Sequence, residues 1–594
     1  MRKSIIYAAV AAGVSTLAGP GAMSANTGVS DATLAALDPT RAGRQACRGF
    51  FDSAAVLDRR LALAQDYAAR LGTAGGAIGL FEGLAANQLP ATGLAPEARR
   101  YFDQGVALTY GFNHKAAIRS FAEAARRDPG CAMCWWGIAL ANGPNINAGM
   151  DSDANRAALA ALERAEALAE RLSPLERKLI AAQKLRYSAA SADERAALDA
   201  RYADAMMALA RAHPANDDVL ILAAEAAMNT TPWNYWTETK AAQPRIGEAV
   251  KLIETVVARN PKHPQASHLY IHLMENGPDP KLAEAAADEL ARSGPGALGH
   301  LVHMPAHIYY RIGRYGDSMD ANIAAARADE AYLAVAGDDG LYRYGYYPHN
   351  VHFLLTSAQM VGNMHAVASE TERLKQVIDE DIARELAWVQ AIHAAPSFAL
   401  AQYASPAAIL SLTEETSELG YVQAMRHYAR AVAHAHAGDR SGFEREIAQL
   451  DALADAPSVV AMTEQGFPAP ALVALAGHVA RGRLALAGGR PKAALAEFEK
   501  AEAIEATIPY SEPPFWYYPV AQSRGAALYA MGRYDDAGQA FRKALFEAPN
   551  NGWALYGLSR AEAKAGRMPE AKAARAKLAE IWQGDMAWLD MKRL

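Results

Sequence analysis

The sequence has 594 residues, a formal net charge of −6 at pH 7, 21% charged residues and no long basic block. That balance argues against a nucleic-acid partner, and removal of a leader carrying Arg2 and Lys3 lowers the charge by two more. Abundant alanine, sparse β-branched residues and the lack of sustained alternation argue against a sheet protein. Stretches of about 12–18 Ala-, Leu- and Glu/Arg-containing residues recur instead between Gly, Pro or Asn-Pro breaks, the pattern of helices joined by short turns.

In chain order, Arg2 and Lys3 precede an apolar run from Ile5 to Leu17, then Gly19, Pro20 and small residues ending at Ala25. Basic, apolar and small residues in that order predict a secretory leader over 1–25 and a periplasmic or secreted mature chain. Neither a lipid anchor nor a later membrane span is expected, because no cysteine closely follows the run and no other long uncharged apolar stretch occurs. Residues 26–95 read as an irregular, helix-containing segment. The three cysteines are Cys47, Cys131 and Cys134. The last two suit a local disulfide or plain packing, whereas Trp135 excludes a CxxCH haem site and two thiolates alone do not make a zinc site.

From residue 96 a 34-residue period emerges. Gly105, Ala117, Phe121, Ala124 and Pro129 fall at positions 8, 20, 24, 27 and 32 of one frame, and Gly525, Ala537, Phe541, Ala544 and Pro549 repeat it. Gly482, Ala494, Phe498 and Ala501 match the first four positions. Small residues at 8, 20 and 27 let two helices approach, an aromatic at 24 fills the gap, and Pro ends the second helix. Between these repeats the phase persists weakly through Ala249 and Ala283, and through Pro261 and Pro295. The pattern closely resembles the tetratricopeptide repeat family. The resemblance implies an all-α helical-hairpin solenoid, a right-handed superhelix, over 96–582, with a cap at 583–594. Segments such as CAMCWWGIALANGPNIN, SHLYIHLMEN, GHLVHMPAHIYYRIGRY and YYPHNVHF are similar to exported bacterial members of unassigned activity.

Of 16 histidines, eight lie between His263 and His352. His268 and His272 occupy positions 5 and 9 of one repeat, His303 and His307 the same positions of the next, and His352 position 5 of the one after. His300 and His349 both fall at position 2. Spacing of i, i+4 places two imidazoles on one helix face. The resemblance implies that positions 2, 5 and 9 line the concave surface, so the span 263–352 reads as a histidine-rich groove.

Three readings of the groove stand open. In the first, His268, His272, His303, His307 and His352 hold a transition metal (Zn, Cu, Ni or Fe). In the second, His300, His349, Asn276, Tyr309, Tyr310 and Tyr347 line a site for a polar ligand or for a protein or peptide partner. In the third, the histidines are packing. A metalloenzyme on the same residues would use Glu275 as general base, although no HExxH signature is present. Aromatic loops at Thr231–Pro244, Gly337–Pro348 and Ile508–Pro519 are expected to fold back over the groove.

Overall fold

Gly105 shows how the hairpins close. A Cβ placed there would lie 2.6 Å from the Phe121 ring, and one on Gly137, in the next first helix, 2.5 Å from the same ring. Phe121 is thus wedged between two backbones that only glycine lets approach. Gly525 and Gly557 bracket Phe541 in the same way, at 2.9 and 2.3 Å, and Gly482 abuts Phe498 at 2.4 Å. The alanines at positions 20 and 27 of these repeats are fully buried.

The computed structural model describes residues 78–594 except 85–86, 88, 169, 171, 190–194, 337–339, 341 and 412–416. The leader at 1–25, Cys47 and most of the segment 26–95 lie outside the described residues. Antiparallel helix pairs run from Pro96–Tyr110 with His114–Arg127 to Gly552–Lys564 with Met568–Ile581. Asn113, Asn216, Asn363, Asp439 and Asn551 cap helix N-termini through their side chains. Among the described residues no strand forms, only two isolated bridges, and no helix is long and apolar enough to cross a membrane. Cys131 and Cys134 are joined as a disulfide, with Cα atoms 5.4 Å apart.

The solenoid coils back on itself. Its first hairpin meets the helix Pro264–Glu275, where the Tyr110 carbonyl lies 3.0 Å from His268 Nδ1. At the other end Trp553 Nε1 donates to the Gln359 carbonyl (3.1 Å), Asn550 Nδ2 to that of Gly313 (3.1 Å), and Gln583 N to that of Val361 (2.8 Å). Gly362 terminates the helix Tyr347–Val361 at φ +71°, and a Cβ there would meet the Trp582 ring at 2.3 Å. The inner wall is therefore roofed by distant parts of the same chain. It is not the open trough that repeat phasing alone suggests, because phasing reports which face points inward and not what covers it. Among the described residues the two largest hydrophobic cores draw on residues 78–346 and 306–594, and both take members from the span 306–346.

Gly557→Ala is expected to destabilise the protein by about 1–3 kcal/mol, the usual cost of overpacking. A melting temperature unchanged from wild type would show that Phe541 has room to yield.

Candidate metal centre

The helix Pro264–Glu275 presents His268, His272 and Glu275 on one face. The next first helix is broken at Met304, where Pro305 opens a new segment, so Gly299–His303 and Pro305–Arg311 together carry His300, His303 and His307. His349 enters from the first turn of Tyr347–Val361. The rings collect into two triads. One ring nitrogen from each of His268, His272 and His300 lies within 4.8 Å of the others, and the same holds for His303, His307 and His349.

The bonding partners fix the tautomers. His268 Nδ1 faces two oxygens, the Tyr110 carbonyl and Gln265 Oε1 at 2.8 Å, so it carries the proton. His303 Nδ1 lies 2.6 Å from Asn322 Oδ1, and Asn322 is oriented by its own amide donating to the Ser318 carbonyl. His272 Nδ1 is 2.7 Å from Glu275 Oε1, and His307 Nδ1 is 2.6 Å from Glu275 Oε2. His268, His272 and His303 therefore hydrogen-bond Nδ1 to an oxygen, while His307 Nδ1 meets Glu275 Oε2 as a close ion-pair contact without hydrogen-bond geometry; this leaves Nε2 of each ring for other partners. His268 and His300 bring their Nε2 atoms to 3.2 Å, His303 and His307 to 2.8 Å. His272 Nε2 and His300 Nδ1 are buried without a hydrogen-bond partner, a state that costs about 1–3 kcal/mol per group unless something fills it.

Burial dominates the electrostatics. It pulls His268, His300 and His303 well below the usual imidazole range, with neighbouring histidines adding to the effect, and it lowers His272 despite Glu275. At His307 burial acts downward too, but the Glu275 charge outweighs it and the net shift is upward. Burial likewise works to raise Glu275, yet His307 and His272 bring it down to about 2. A carboxylate so held, with both oxygens on imidazoles, orients rings and is a poor proton acceptor. Glu512, from the loop after Glu505, lies 3.5 Å from Arg311 and is bonded by the Tyr510 hydroxyl. Burial pushes it up to about 7.

The other sequence candidates divide. His300 and His349 join the triads rather than a separate groove. His352 points elsewhere, with Nε2 2.7 Å from the Tyr517 hydroxyl. Asn276 is buried at the helix end, its carbonyl taking Lys240 Nζ. Tyr310 packs on Tyr315 and Phe353. Tyr309 and Tyr347 face away from the seam, donating to Asp288 and Glu330. His263 caps the helix Pro264–Glu275. All three aromatic loops do reach the seam: Trp233 lies on His272, Tyr346 on His300, and the Tyr510 hydroxyl donates to the Glu275 carbonyl at 3.3 Å. Sequence reading missed Asn322, Phe112 and Glu512. Glu512 is the single acidic residue of the loop Ile508–Pro519, between Tyr510 and the aromatic run Phe515–Tyr518, and that setting was the available signal.

These features define an α-solenoid of helical hairpins wound closed around a polyhistidine seam. Residues 528–592 match the tetratricopeptide repeat family model. That C-terminal segment is therefore similar to tetratricopeptide repeats, and stacked helical hairpins of the same kind make up the described residues before it. Among solved structures it is similar to the human IFIT1 dimer with m7Gppp-AAAA, at 14% identity over 72% of this chain and 86% of that one, with a TM-score of 0.31. Yeast Tom70 is similar at 10% identity over 81% and 92%, with a TM-score of 0.26. TM-scores this low mark stacked helices and carry nothing about function. No curated protein matches the chain.

His352 offers a clean proton-linkage test. Burial lowers it to about 3, so below pH ~6.5 the unfolded chain takes up a proton that the folded protein refuses. The stability of wild type relative to His352→Gln is expected to fall by about 1.4 kcal/mol per pH unit from 6.5 downward. The difference is the proper readout, because Asp329 and Glu512, both raised to about 7 by burial, act in the opposite sense. A difference independent of pH between 7 and 5 would refute the buried neutral assignment.

Proposed function

We propose that this chain is an exported tetratricopeptide-repeat protein that holds a transition metal on its histidine seam. The observation that carries the reading is the pair of histidine triads, in which His268, His272, His303 and His307 each hold Nδ1 against an oxygen and His268 and His303 bring Nε2 against the Nε2 of His300 and His307. An all-nitrogen donor set of neutral imidazoles suits Zn, Cu, Ni or Fe. His352, bonded to Tyr517, is left out of the ligand set, and His300 and His349 take its place. Export is supported by the basic–apolar–small pattern of residues 1–25 and by the Cys131–Cys134 disulfide, since such bonds persist in oxidising compartments. The roofed seam leaves a protein or peptide partner to the outer surface of the superhelix. Metal capture, or a metal-dependent contact with such a partner, is the activity this arrangement serves.

Untagged protein prepared from the exported fraction is expected to contain metal in stoichiometric amount. Less than about 0.1 equivalent, with no thermal shift on adding Zn, Cu, Ni or Fe, would sink the reading. Replacing His303 and His307 with Ala should remove metal while the helical circular dichroism persists; replacing His478 should not. Glu275→Gln keeps the shape and removes the charge that orients His272 and His307. It is expected to weaken metal binding by about 10–100-fold, and unchanged affinity would show that the carboxylate is only packing.

A further inference from the structure

We infer that the seam takes two metal ions of unequal access, an enclosed one at His268, His272 and His300 and an open one at His303, His307 and His349 whose remaining position is filled from the adjoining cleft by a small anion. The inference rests on the metal reading above and extends it to number, access and ligand class.

The count follows from the position of Glu275. The two nitrogens of an imidazole face away from each other, and Glu275 occupies Nδ1 of both His272 and His307. Their Nε2 atoms therefore point away from the carboxylate, one into each triad. A single ion gathering all six rings would have to displace Glu275, which has no exposed surface. Each triad by itself supplies three nitrogens within 4.8 Å, enough for one ion with a position to spare.

The difference in access follows from the surroundings. His268, His272 and His300 are 0%, 1% and 3% exposed. Phe112 lies 4.6 Å from His268 and 5.3 Å from His300, Trp233 lies 5.0 Å from His272, and Tyr346 lies 4.8 Å from His300. Phe112 and Tyr346 also line the neighbouring cleft near Asn145, so their rings stand between that cleft and the triad. In the second triad His349 is only partly buried. It lines a different cleft with His352, Trp388, Glu512 and Tyr517. Closed coordination belongs to structural ions and an open position to ions that bind ligands.

The ligand class follows from charge. Imidazoles bind as neutral ligands, Glu275 lies between the two dications, and the charge of Glu512 at the cleft is offset by Arg311 at 3.5 Å, so positive charge remains; the triad with a partly buried ring on a cleft is the second. A small anion entering past Trp388 and Tyr517 meets that need.

Titration with Co(II) alone tests the inference, because its visible bands report coordination. Wild type is expected to bind two equivalents, with one removed by EDTA at least about tenfold faster than the other. His300→Asn is expected to keep the fast ion and His349→Asn the slow one. Azide should shift the bands of His300→Asn and leave those of His349→Asn unchanged. No bound Co(II) would overturn the metal reading itself. One equivalent, lost with a variant of either triad, would overturn the two-ion inference and leave that reading standing. Two equivalents released at one rate, or no response to azide, would overturn the asymmetry. Wild-type stoichiometry and EDTA kinetics decide the matter even if a variant fails to fold.

Discussion

Burying five imidazoles along one seam, with a sixth half-buried beside them, is costly unless the polar edges of each ring are answered, and here the answer runs through Glu275. Its oxygens face His272 from its own helix and His307 from the next repeat. The Glu275 carbonyl also accepts from Arg311 Nε at 2.9 Å. The charge, the turn of two rings and the register of two neighbouring repeats are thereby tied together. Asn322, from the helix that follows, and the Tyr110 carbonyl, 158 residues away in the chain, do for His303 and His268 what Glu275 does for its pair.

Those long-range partners explain why the solenoid is wound closed. Tyr110 and Phe112 belong to the first hairpin, yet they complete the surroundings of His268 and His300. Tyr510 and Glu512 come from the far end and complete those of Glu275 and Arg311. Phe112 adopts φ +55° in a turn where glycine or asparagine is the easier choice. The position asks for a ring against the histidines, and the backbone accommodates it.

The helical repeats at either end were legible because Gly, Ala and Phe at positions 8, 20 and 24 encode contacts within one hairpin and its neighbour. The histidine face was legible for a similar reason, since i, i+4 spacing fixes direction on a helix. Closure was not legible: nothing local in Gly362 or Trp582 announces that they meet. The grouping was only half legible. His300 and His349 at position 2 read as groove, yet the break at Met304 and Pro305 lets position 2 converge with positions 5 and 9. His352 shares position 5 with His268 and His303, but Tyr517, 165 residues onward, gives it a different partner. Tyr309 and Tyr347 were read by proximity in sequence, and helix rotation carries both hydroxyls to the other side.

The Trp582–Gly362 contact has a consequence for how this chain can change. An open solenoid grows or shrinks by whole hairpins, since each unit touches only its neighbours. Here the final repeat must arrive at one glycine, at one backbone conformation, to within an ångström. A duplicated or deleted hairpin between residues 363 and 581 would rotate the last turn of the superhelix and carry Trp582 away from its seat. The number of repeats is thereby frozen, and variation is confined to the loops and outer faces.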